Sequence, residues 1–340
     1  MPRPSTFSIV ARDPDSDAVG VAVQSKFVGV GAVVPFASAD AGAVATQSFA
    51  NVAYGPDGLD LLRDGATAAE VVDELTSEDS EAEQRQVGVV GQDGSVAAFT
   101  GEECFDYAGD LQGEHYTVQG NILENRATLE AMAEAFEAGA SPRDAEESAS
   151  PRDAEESASP RDAGTGEDDG IGLPERLIAA LHAGNEAGGD KRGEQSAALY
   201  VVKPEGGYDG KNDRWIDVRV DDHESPIDEL ERVFKIYDVT LLEREDPEEM
   251  RELTGEAAAA VTETLADLGF YEGDDQTPSE TFDDEDRDAL ESFRGMNNFE
   301  NHDLAVLEDA LARGWDDAEG SGERRLVDAI WHGLSRLDRK

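Results

Sequence analysis

One polar triplet in the sequence has the residue types and the position to bind a substrate. Gln119, Gly120 and Asn121 interrupt an otherwise apolar, strand-like run, YTVQGNIL. Buried amide groups need hydrogen-bonding partners, and the backbone of a bound ligand can supply them. The sequence therefore predicts that this triplet lines a substrate pocket.

A second group of polar residues has the donors that a metal ion prefers. Asp217, Asp221, Asp222 and His223 lie close together at the end of the run RWIDVRVDDH. Carboxylate oxygens bind Mg²⁺ or Ca²⁺, and an imidazole extends the choice to transition metals. The cluster predicts a divalent-metal site, with a solvated acidic strand end as the alternative, and no other cofactor is expected.

The chain has a single cysteine, Cys104, which excludes an intramolecular disulfide. A thiolate nucleophile needs a basic neighbour, and the nearest histidine in the sequence is His115. Cys104 is thus a candidate nucleophile, although a lone cysteine is more often a small apolar core residue.

The elements that must position these residues can be read from the apolar pattern. Residues 6–47 contain three β-rich runs, of which the first two form a hairpin, and their near-continuous apolar character predicts strands covered on both faces. Helical spacing follows over residues 51–75, with Thr67 as an N-cap, and then a hairpin turns at Gln92-Asp93-Gly94-Ser95. With the later strands and helices, this order predicts a four-layer αββα sandwich.

Two further features set the domain organisation. Residues 141–170 begin with repeats of the nine-residue unit SPRDAEESA. This pattern predicts a low-complexity insertion that has no catalytic or binding residues. Residues 244–340 are helical in pattern throughout. We therefore expect one domain over residues 1–243 and a small all-α domain over residues 244–340.

Charge limits the partners and the environment. The chain has 28 basic and 78 acidic residues, a net charge of −50. This balance disfavours nucleic acid as a partner, and no apolar stretch is long enough for a membrane span. An acidic, lysine-poor chain with an intact apolar pattern indicates a cytoplasmic protein of a halophile, where molar salt screens self-repulsion. An acidic interaction surface and charge-driven disorder are the alternatives.

Five motifs in order resemble the family called domain of unknown function 1028. They are TFSIVARDPDSDAVGVAVQSKF, GAVATQSFANVAYGPDGLDLL, RQVGVVGQDGSVAAFTGEEC, YTVQGNIL and GGDKRGEQSAALYVV. The resemblance covers about residues 5–240 and implies an Ntn-hydrolase-like (N-terminal-nucleophile) fold, the αββα sandwich expected from the pattern. The tail from about residue 250 resembles a peptidoglycan-binding module, although a haloarchaeal cell would contain no peptidoglycan.

The resemblance to Ntn hydrolases implies a nucleophile at the start of the first strand. Thr6 has that place, and Ser8 lies on the same face two residues later. In such enzymes the free α-amino group of the nucleophile is the base, so residues 1–5 must be removed. An ordinary β-branched strand residue is the alternative for Thr6.

By position in that fold, other polar residues are expected near the nucleophile. Lys26 is expected to lower the pKa of the nucleophile or to bind an anion, with an ordinary surface lysine at the strand end as the alternative. Gln24 and Ser25 end the same strand. Gln47, Ser48, Asn51 and Tyr54 are candidate donors to an oxyanion or ligand, or alternatively loop-forming polar residues.

The combined expectation is an amidohydrolase that acts on a small amide or peptide-like substrate. The alternative is a non-catalytic protein of the same fold that binds a small molecule or peptide. A homo-oligomer is compatible with either reading.

Overall fold

The structure is a computed structural model that describes residues 6–105, 107–139, 172–241, 250–271, 279–314 and 330. Tertiary contacts divide the chain into two compact units, residues 1–231 and residues 232–340. The expected boundary between residues 243 and 244 and the repeat over residues 141–170 both lie outside the described residues.

Over its described residues, the first unit contains ten strands and the first helices. The strands are β1 (Thr6–Arg12), β2 (Val19–Ser25), β3 (Pro35–Ser38), β4 (Gly42–Ser48), β5 (Arg85–Gly91), β6 (Val96–Thr100), β7 (Gly109–Gly113), β8 (Tyr116–Asn121), β9 (Ser196–Val202) and β10 (Arg214–Val220). The helices are α1 (Tyr54–Arg63), α2 (Ala68–Ser77), α3 (Ala127–Ala138) and α4 (Leu173–Glu186), and α5 (Pro226–Leu241) follows β10.

The strands form two antiparallel sheets. The six-stranded sheet has the order β10-β9-β2-β1-β8-β7, and the four-stranded sheet has the order β3-β4-β5-β6. The predicted hairpin of β1 and β2 is confirmed, with Thr6 paired to Ser25. On its other edge β1 pairs with β8, so that Thr6 also faces Asn121.

Apolar residues fill much of the space where the two sheets face each other. Val10 and Val21 from the six-stranded sheet pack with Ala45 and Val90 from the four-stranded sheet. Helices α1 and α2 contact the four-stranded sheet, whereas α3 and α4 contact the six-stranded sheet. The prediction of a mixed α/β unit with buried antiparallel strands is confirmed, since every residue of β2 is buried.

Local capping signals place the helices as the sequence predicts. Thr67 is the N-cap of α2, and it forms a reciprocal capping box with Glu70. The turn between β5 and β6 uses Gly94 at φ 85°, a backbone conformation that glycine adopts without steric cost.

The second unit is helical over its described residues, as predicted. Helices α6 (Gly255–Asp267), α7 (Asp284–Met296) and α8 (Leu304–Arg313) enclose an apolar core that includes Leu265 and Phe293. Asp283 caps α7 with a capping box. The predicted last helix lies outside the described residues apart from Ile330. Among the helices that the structure describes, none has the length and hydropathy required to cross a membrane.

Candidate functional site

Eight hydroxyl and amide side chains form a buried polar group between the two sheets. We call this group the inter-sheet polar cluster; its members are Thr6, Ser8, Ser25, Gln47, Gln86, Thr117, Gln119 and Asn121. Thr6 is 3% exposed and the other seven are at most 1% exposed. The cluster lies towards the end of the sandwich at which β1 begins and β2, β4 and β8 end.

Alternation of side chains along the strands explains why these residues meet. Thr6 and Ser8 are two residues apart and therefore share a face of β1, and Gln119 of β8 is the direct partner of Ser8. Across the sheets, the Ser8 hydroxyl donates to Gln47 Oε1 of β4 at 2.7 Å. Gln119 Nε2 donates to Ser8 Oγ at 2.6 Å.

Gln86 of β5 links the remaining members. Its Oε1 accepts from Gln47 Nε2 at 2.8 Å and from Asn121 Nδ2 at 3.0 Å. Its Nε2 donates to the carbonyl of Gly120 at 2.9 Å, so Gly120 contributes its backbone to the cluster. The network thus joins both sheets through hydrogen bonds between neutral groups.

A glycine makes room for this network. A Cβ atom at Gly88 of β5 would lie 2.2 Å from Gln119 Oε1 and 3.0 Å from Thr117 Cγ2. Any side chain at residue 88 would therefore displace the Gln119 carboxamide.

Thr6 lies at the outer end of the cluster. Its Oγ1 is 3.1 Å from Ser25 Oγ, and either oxygen can be the donor. Its carbonyl oxygen accepts from Gln47 Nε2 at 3.4 Å. The predicted pair of hydroxyls on β1 is therefore placed among carboxamides, as the sequence led us to expect for Gln47, Gln119 and Asn121.

The loop after β2 is anchored beside Thr6 by a buried carboxylate. The side chain of Asp190 is fully buried and accepts from the Lys26 backbone amide at 2.9 Å. Its other oxygen accepts from the Arg192 backbone amide at 2.8 Å, and the Arg192 guanidinium lies 3.2 Å away. Ser196, also fully buried, hydrogen-bonds to the carbonyl of Phe27.

Comparison with known proteins agrees with this architecture. A model of a family of unknown function, DUF1028, matches residues 6–230. The chain belongs to the DUF1028 family. A second family model, described as "Putative peptidoglycan binding domain", matches residues 240–329.

A solved DUF1028 structure has the same fold. The crystal structure of a protein from Silicibacter pomeroyi, described as a DUF1028 protein, is 30% identical to this chain with a TM-score of 0.55. The match covers 69% of this chain and 86% of that one. No curated protein matches the chain significantly.

In this DUF1028 protein Gln24 lies outside the inter-sheet polar cluster, contrary to expectation. Gln24 pairs with Phe7, whereas Ser25 pairs with Thr6, so the two neighbours point to opposite faces of β2. Gln24 is fully buried on the face that it shares with Phe7, and neither side-chain polar atom has a hydrogen-bond partner among the described residues.

The Lys26 side chain also points away from the inter-sheet polar cluster and binds the Glu194 backbone. Its ammonium donates to the carbonyl oxygen of Glu194 at 2.7 Å, and the residue is exposed. The predicted contact between this ammonium and the Thr6 hydroxyl is therefore not formed among the described residues.

Cys104 has an environment that favours the thiol. Its Sγ donates to the carbonyl of Arg85 at 3.3 Å. Burial raises the pKa of the Cys104 thiol, and a hydrogen bond with Ser48 offsets part of this increase. A nucleophile needs the opposite shift, so the structure does not support the predicted thiolate. Ser48 ends β4 at φ 69°, and it lies on the opposite face of that strand from Gln47.

Asn51 and Tyr54 belong to a separate ion-paired group at the start of α1. Both donate to Asp79 Oδ2, at 3.3 Å and 3.0 Å respectively. The Arg85 guanidinium, 2.9 Å from the same oxygen, holds the pKa of Asp79 well below its usual range. Burial and the neighbouring Asp79 carboxylate raise the pKa of Tyr54. These two residues line an open groove of about 530 Å³ with acidic side chains of α1 and α2, not the inter-sheet polar cluster.

The predicted metal ligands do not converge. Asp217 binds the Arg219 guanidinium at 2.7 Å, and Asp222 accepts from Gln195 at 3.0 Å. His223 Nδ1 hydrogen-bonds to the backbone of Ser225. Within the described ranges, no group of three His, Cys, Asp or Glu side chains could hold a metal ion. The structure therefore does not support the predicted metal site, because Asp217 is paired with Arg219, Asp222 with the Gln195 carboxamide and His223 with backbone.

Sequence reasoning missed Gln86, Thr117, Asp190, Arg192 and Ser196. Gln86 follows Arg85 and comes before the apolar residues of its strand, so it lacks the pattern that marks Gln119 inside YTVQGNIL. No local pattern marks Asp190, because its partners in β2 and the following loop are distant in sequence.

A histidine on α4 gives the first unit a pH-dependent contact. His182 Nε2 lies 2.8 Å from Glu231 Oε2, and this hydrogen bond raises the pKa of His182 above its usual value despite partial burial. A raised folded-state pKa means that the stabilisation is complete below about pH 6.5 and is lost as pH rises through the folded-state pKa.

We expect His182→Gln to lower the melting temperature at pH 6 by an amount that disappears by about pH 9. The pair is partly solvated, so the effect is roughly 0.2–1 kcal/mol. Differential scanning calorimetry over this pH range measures it. His223→Gln is the matched control, because the Nδ1 atom of that ring contacts backbone rather than a carboxylate. A His182→Gln deficit that is constant with pH would contradict the assignment.

Proposed function

We propose that this DUF1028 protein is an Ntn-type amidohydrolase with Thr6 as the nucleophile, acting on a small amide or peptide-like substrate. Two facing antiparallel sheets, each contacted by its own pair of helices, support an Ntn-hydrolase-like αββα sandwich. The observation that carries the proposal is the buried Thr6 hydroxyl, which opens β1 within a cluster of amide groups.

The hydrogen bonds favour Thr6 over Ser8 as the nucleophile. The Ser8 proton is donated to the Gln47 carboxamide oxygen, which is not a base at neutral pH. The Thr6 hydroxyl instead contacts another hydroxyl, that of Ser25, and the proton between them can take either direction. Thr6 can therefore release its proton without breaking the amide network.

Loss of residues 1–5 would supply the base. The Thr6 nitrogen is an amide while those residues are attached, and it becomes an amine with a pKa of about 7.7–8.0 once they are removed. During attack on a carbonyl carbon, the hydroxyl proton passes to this amine and then to the leaving amine. Water hydrolyses the resulting ester of Thr6 and restores the hydroxyl.

A non-catalytic binding protein is the second candidate, and two observations favour it. The Lys26 ammonium is held by the Glu194 carbonyl rather than by Thr6. In addition, the Gln47 and Gln86 carboxamides hydrogen-bond to each other and Gln119 hydrogen-bonds to Ser8, as expected of a fixed scaffold beside a ligand.

The net charge of −50 supports a further part of the proposal, namely function in the cytoplasm of a halophilic archaeon. A highly charged surface keeps a protein soluble where salt screens its self-repulsion.

The decisive experiment is the intact mass of protein made in a high-salt host. We expect a mass that lacks residues 1–5, because only then does Thr6 carry a free amine. Thr6→Ala should abolish both the processing and the release of amines from a panel of small amides. Thr6→Ser keeps a hydroxyl and is the matched control, which we expect to be processed. A full-length mass in an active preparation would refute the nucleophile, and ligand binding without turnover would favour the second candidate.

A further inference from the structure

The carboxamide of Gln86 is fixed in one orientation by backbone groups. Its Nε2 donates to the carbonyl oxygens of Gly109 at 3.0 Å and Gly120 at 2.9 Å, and it also lies 2.9 Å from Thr100 Oγ1. Carbonyl oxygens only accept hydrogen bonds, so the nitrogen must face them. The reversed orientation would place Oε1 against two backbone carbonyls.

This orientation determines the direction of the neighbouring hydrogen bonds. Gln86 Oε1 must accept, so Gln47 and Asn121 both turn an N–H towards it. Gln47 Oε1 consequently faces Ser8 and takes its proton at 2.7 Å. The orientation of Gln86 on β5 thus determines which atom of Gln47 on β4 donates, and through Gln47 it determines where Ser8 on β1 donates its proton.

Gln47 and Asn121 are also neighbours of Thr6. Gln47 Nε2 donates to the Thr6 carbonyl at 3.4 Å, and Asn121 is the residue that faces Thr6 in the pairing of β1 with β8. Gln86 contacts both and is fully buried, although it does not hydrogen-bond to Thr6 itself.

We propose that Gln86 is a positioning residue of the Thr6 site. Its backbone-fixed carboxamide orients Gln47 and Asn121, commits the Ser8 proton to Gln47, and so leaves Thr6 as the reactive hydroxyl. This inference rests on the proposed function, because it assigns Gln86 a role in the same site.

A Gln86→Glu variant tests the direction of the hydrogen bonds. A carboxylate cannot donate to Gly109 and Gly120, whereas a protonated Glu has one donor and one acceptor and restores the native direction. Burial raises the pKa of a carboxyl group above its ordinary value of about 4.3. The variant should therefore match the parent at pH 5.5 and depart from it at pH 8.5. Gln86→Leu can neither donate nor accept, and it should depart at both values.

A thiol placed at residue 6 reports the geometry without requiring any hydrolase activity. In a Cys104→Ala background, Thr6→Cys carries the single thiol of the chain, and its rate of reaction with methyl methanethiosulfonate can be measured. We divide each rate by that of the Gln86 parent at the same pH, which removes the pH dependence that the two proteins share. For Gln86→Glu we expect a ratio near one at pH 5.5 and a severalfold change at pH 8.5. Between pH 5.5 and pH 8.5, the melting temperature of Gln86→Glu should fall by about 5 °C more than that of the parent.

Two further variants define what the reporter measures. Thr100→Val leaves the carbonyls of Gly109 and Gly120 in place, so we expect it to react at the parent rate. A rate equal to that of Gln86→Leu would contradict the inference that these two carbonyls fix the Gln86 carboxamide. Gln92→Glu is the control for an added carboxyl group, because Gln92 bonds to Arg12 in the turn after β5 and should give a ratio near one at both pH values.

Each outcome decides the inference separately from the proposed function. A Gln86→Glu protein that unfolds at pH 8.5 but recovers the parent rate at pH 5.5 supports positioning. One that is unfolded at both pH values, or whose rate relative to the parent is the same at both, overturns it. If the wild-type chain keeps residues 1–5 while the reporter responds as expected, the nucleophile is wrong and the role of Gln86 in ordering Thr6 stands.

Discussion

Replacing Asp190 with alanine should lower the free energy of unfolding by about 2–6 kcal/mol, because two backbone donors lose their acceptor at a cost of roughly 1–3 kcal/mol each. The Asp190 side chain is fully buried, and its two oxygens accept from the backbone amides of Lys26 and Arg192. Alanine removes both acceptors and also the carboxylate beside the Arg192 guanidinium. Urea unfolding monitored by circular dichroism measures the change from the shift in midpoint at constant slope.

Two comparison variants show whether burial is the cause. Asp40→Ala removes a carboxylate that is also paired with an arginine, Arg63, but whose side chain is 60% exposed. Exposed pairs contribute roughly 0.2–1 kcal/mol, so this variant should be close to the wild type. Asp190→Asn keeps one acceptor oxygen without the charge, and we expect an intermediate loss. A cost for Asp190→Ala no larger than that for Asp40→Ala would contradict the anchoring role.

The unfolding midpoint of the full chain should rise steeply with salt. At a net charge of −50 the folded state confines repulsion that an expanded chain relieves. The Debye length shortens from about 10 Å at 0.1 M to about 3 Å at 1 M salt, which removes most of this repulsion. Screening also weakens exposed ion pairs such as Arg63 with Asp60, but each contributes at most about 1 kcal/mol. We therefore expect net stabilisation, measured as the thermal midpoint by circular dichroism from about 0.1 M to 3 M KCl.

The choice of salt separates screening from strengthened apolar burial. If screening dominates, KCl and NaCl should act alike at equal ionic strength. A marked preference for sulfate would instead indicate that exclusion from the protein surface is the larger effect. A midpoint that does not change over this range would contradict the proposed adaptation to molar salt.

The strands were predictable where burial is continuous. β1, β2, β4 and β8 are buried over nearly their whole length, and the sequence marks each of them by its strand-forming residues. β7, with the sequence GDLQG, was missed because an edge strand is only partly buried and needs no apolar run. The short β3 is likewise only partly buried over three of its four residues.

The candidate site was predictable in part, and strand alternation explains the errors. Thr6 and Ser8 were correctly expected to share a face, but Gln24 and Ser25 are adjacent and cannot both enter one cluster. The hydrogen bonds that select Gln86 as the central residue depend on the separation of two sheets, which no local pattern encodes. Asn51 and Tyr54 belong to a different group because both donate to Asp79, whose carboxylate is also paired with Arg85.

The strand order has a consequence for how the chain is made. β2 pairs on one edge with β1, which precedes it, and on the other edge with β9, which begins at residue 196. On the ribosome, the second edge of β2 therefore remains open until the chain has grown by about 170 residues, and open edges invite pairing with other chains. At 5–20 residues per second, residues 141–170 alone prolong this interval by roughly 2–6 s. Repulsion between nascent chains of like charge would oppose such pairing while β2 awaits its partner.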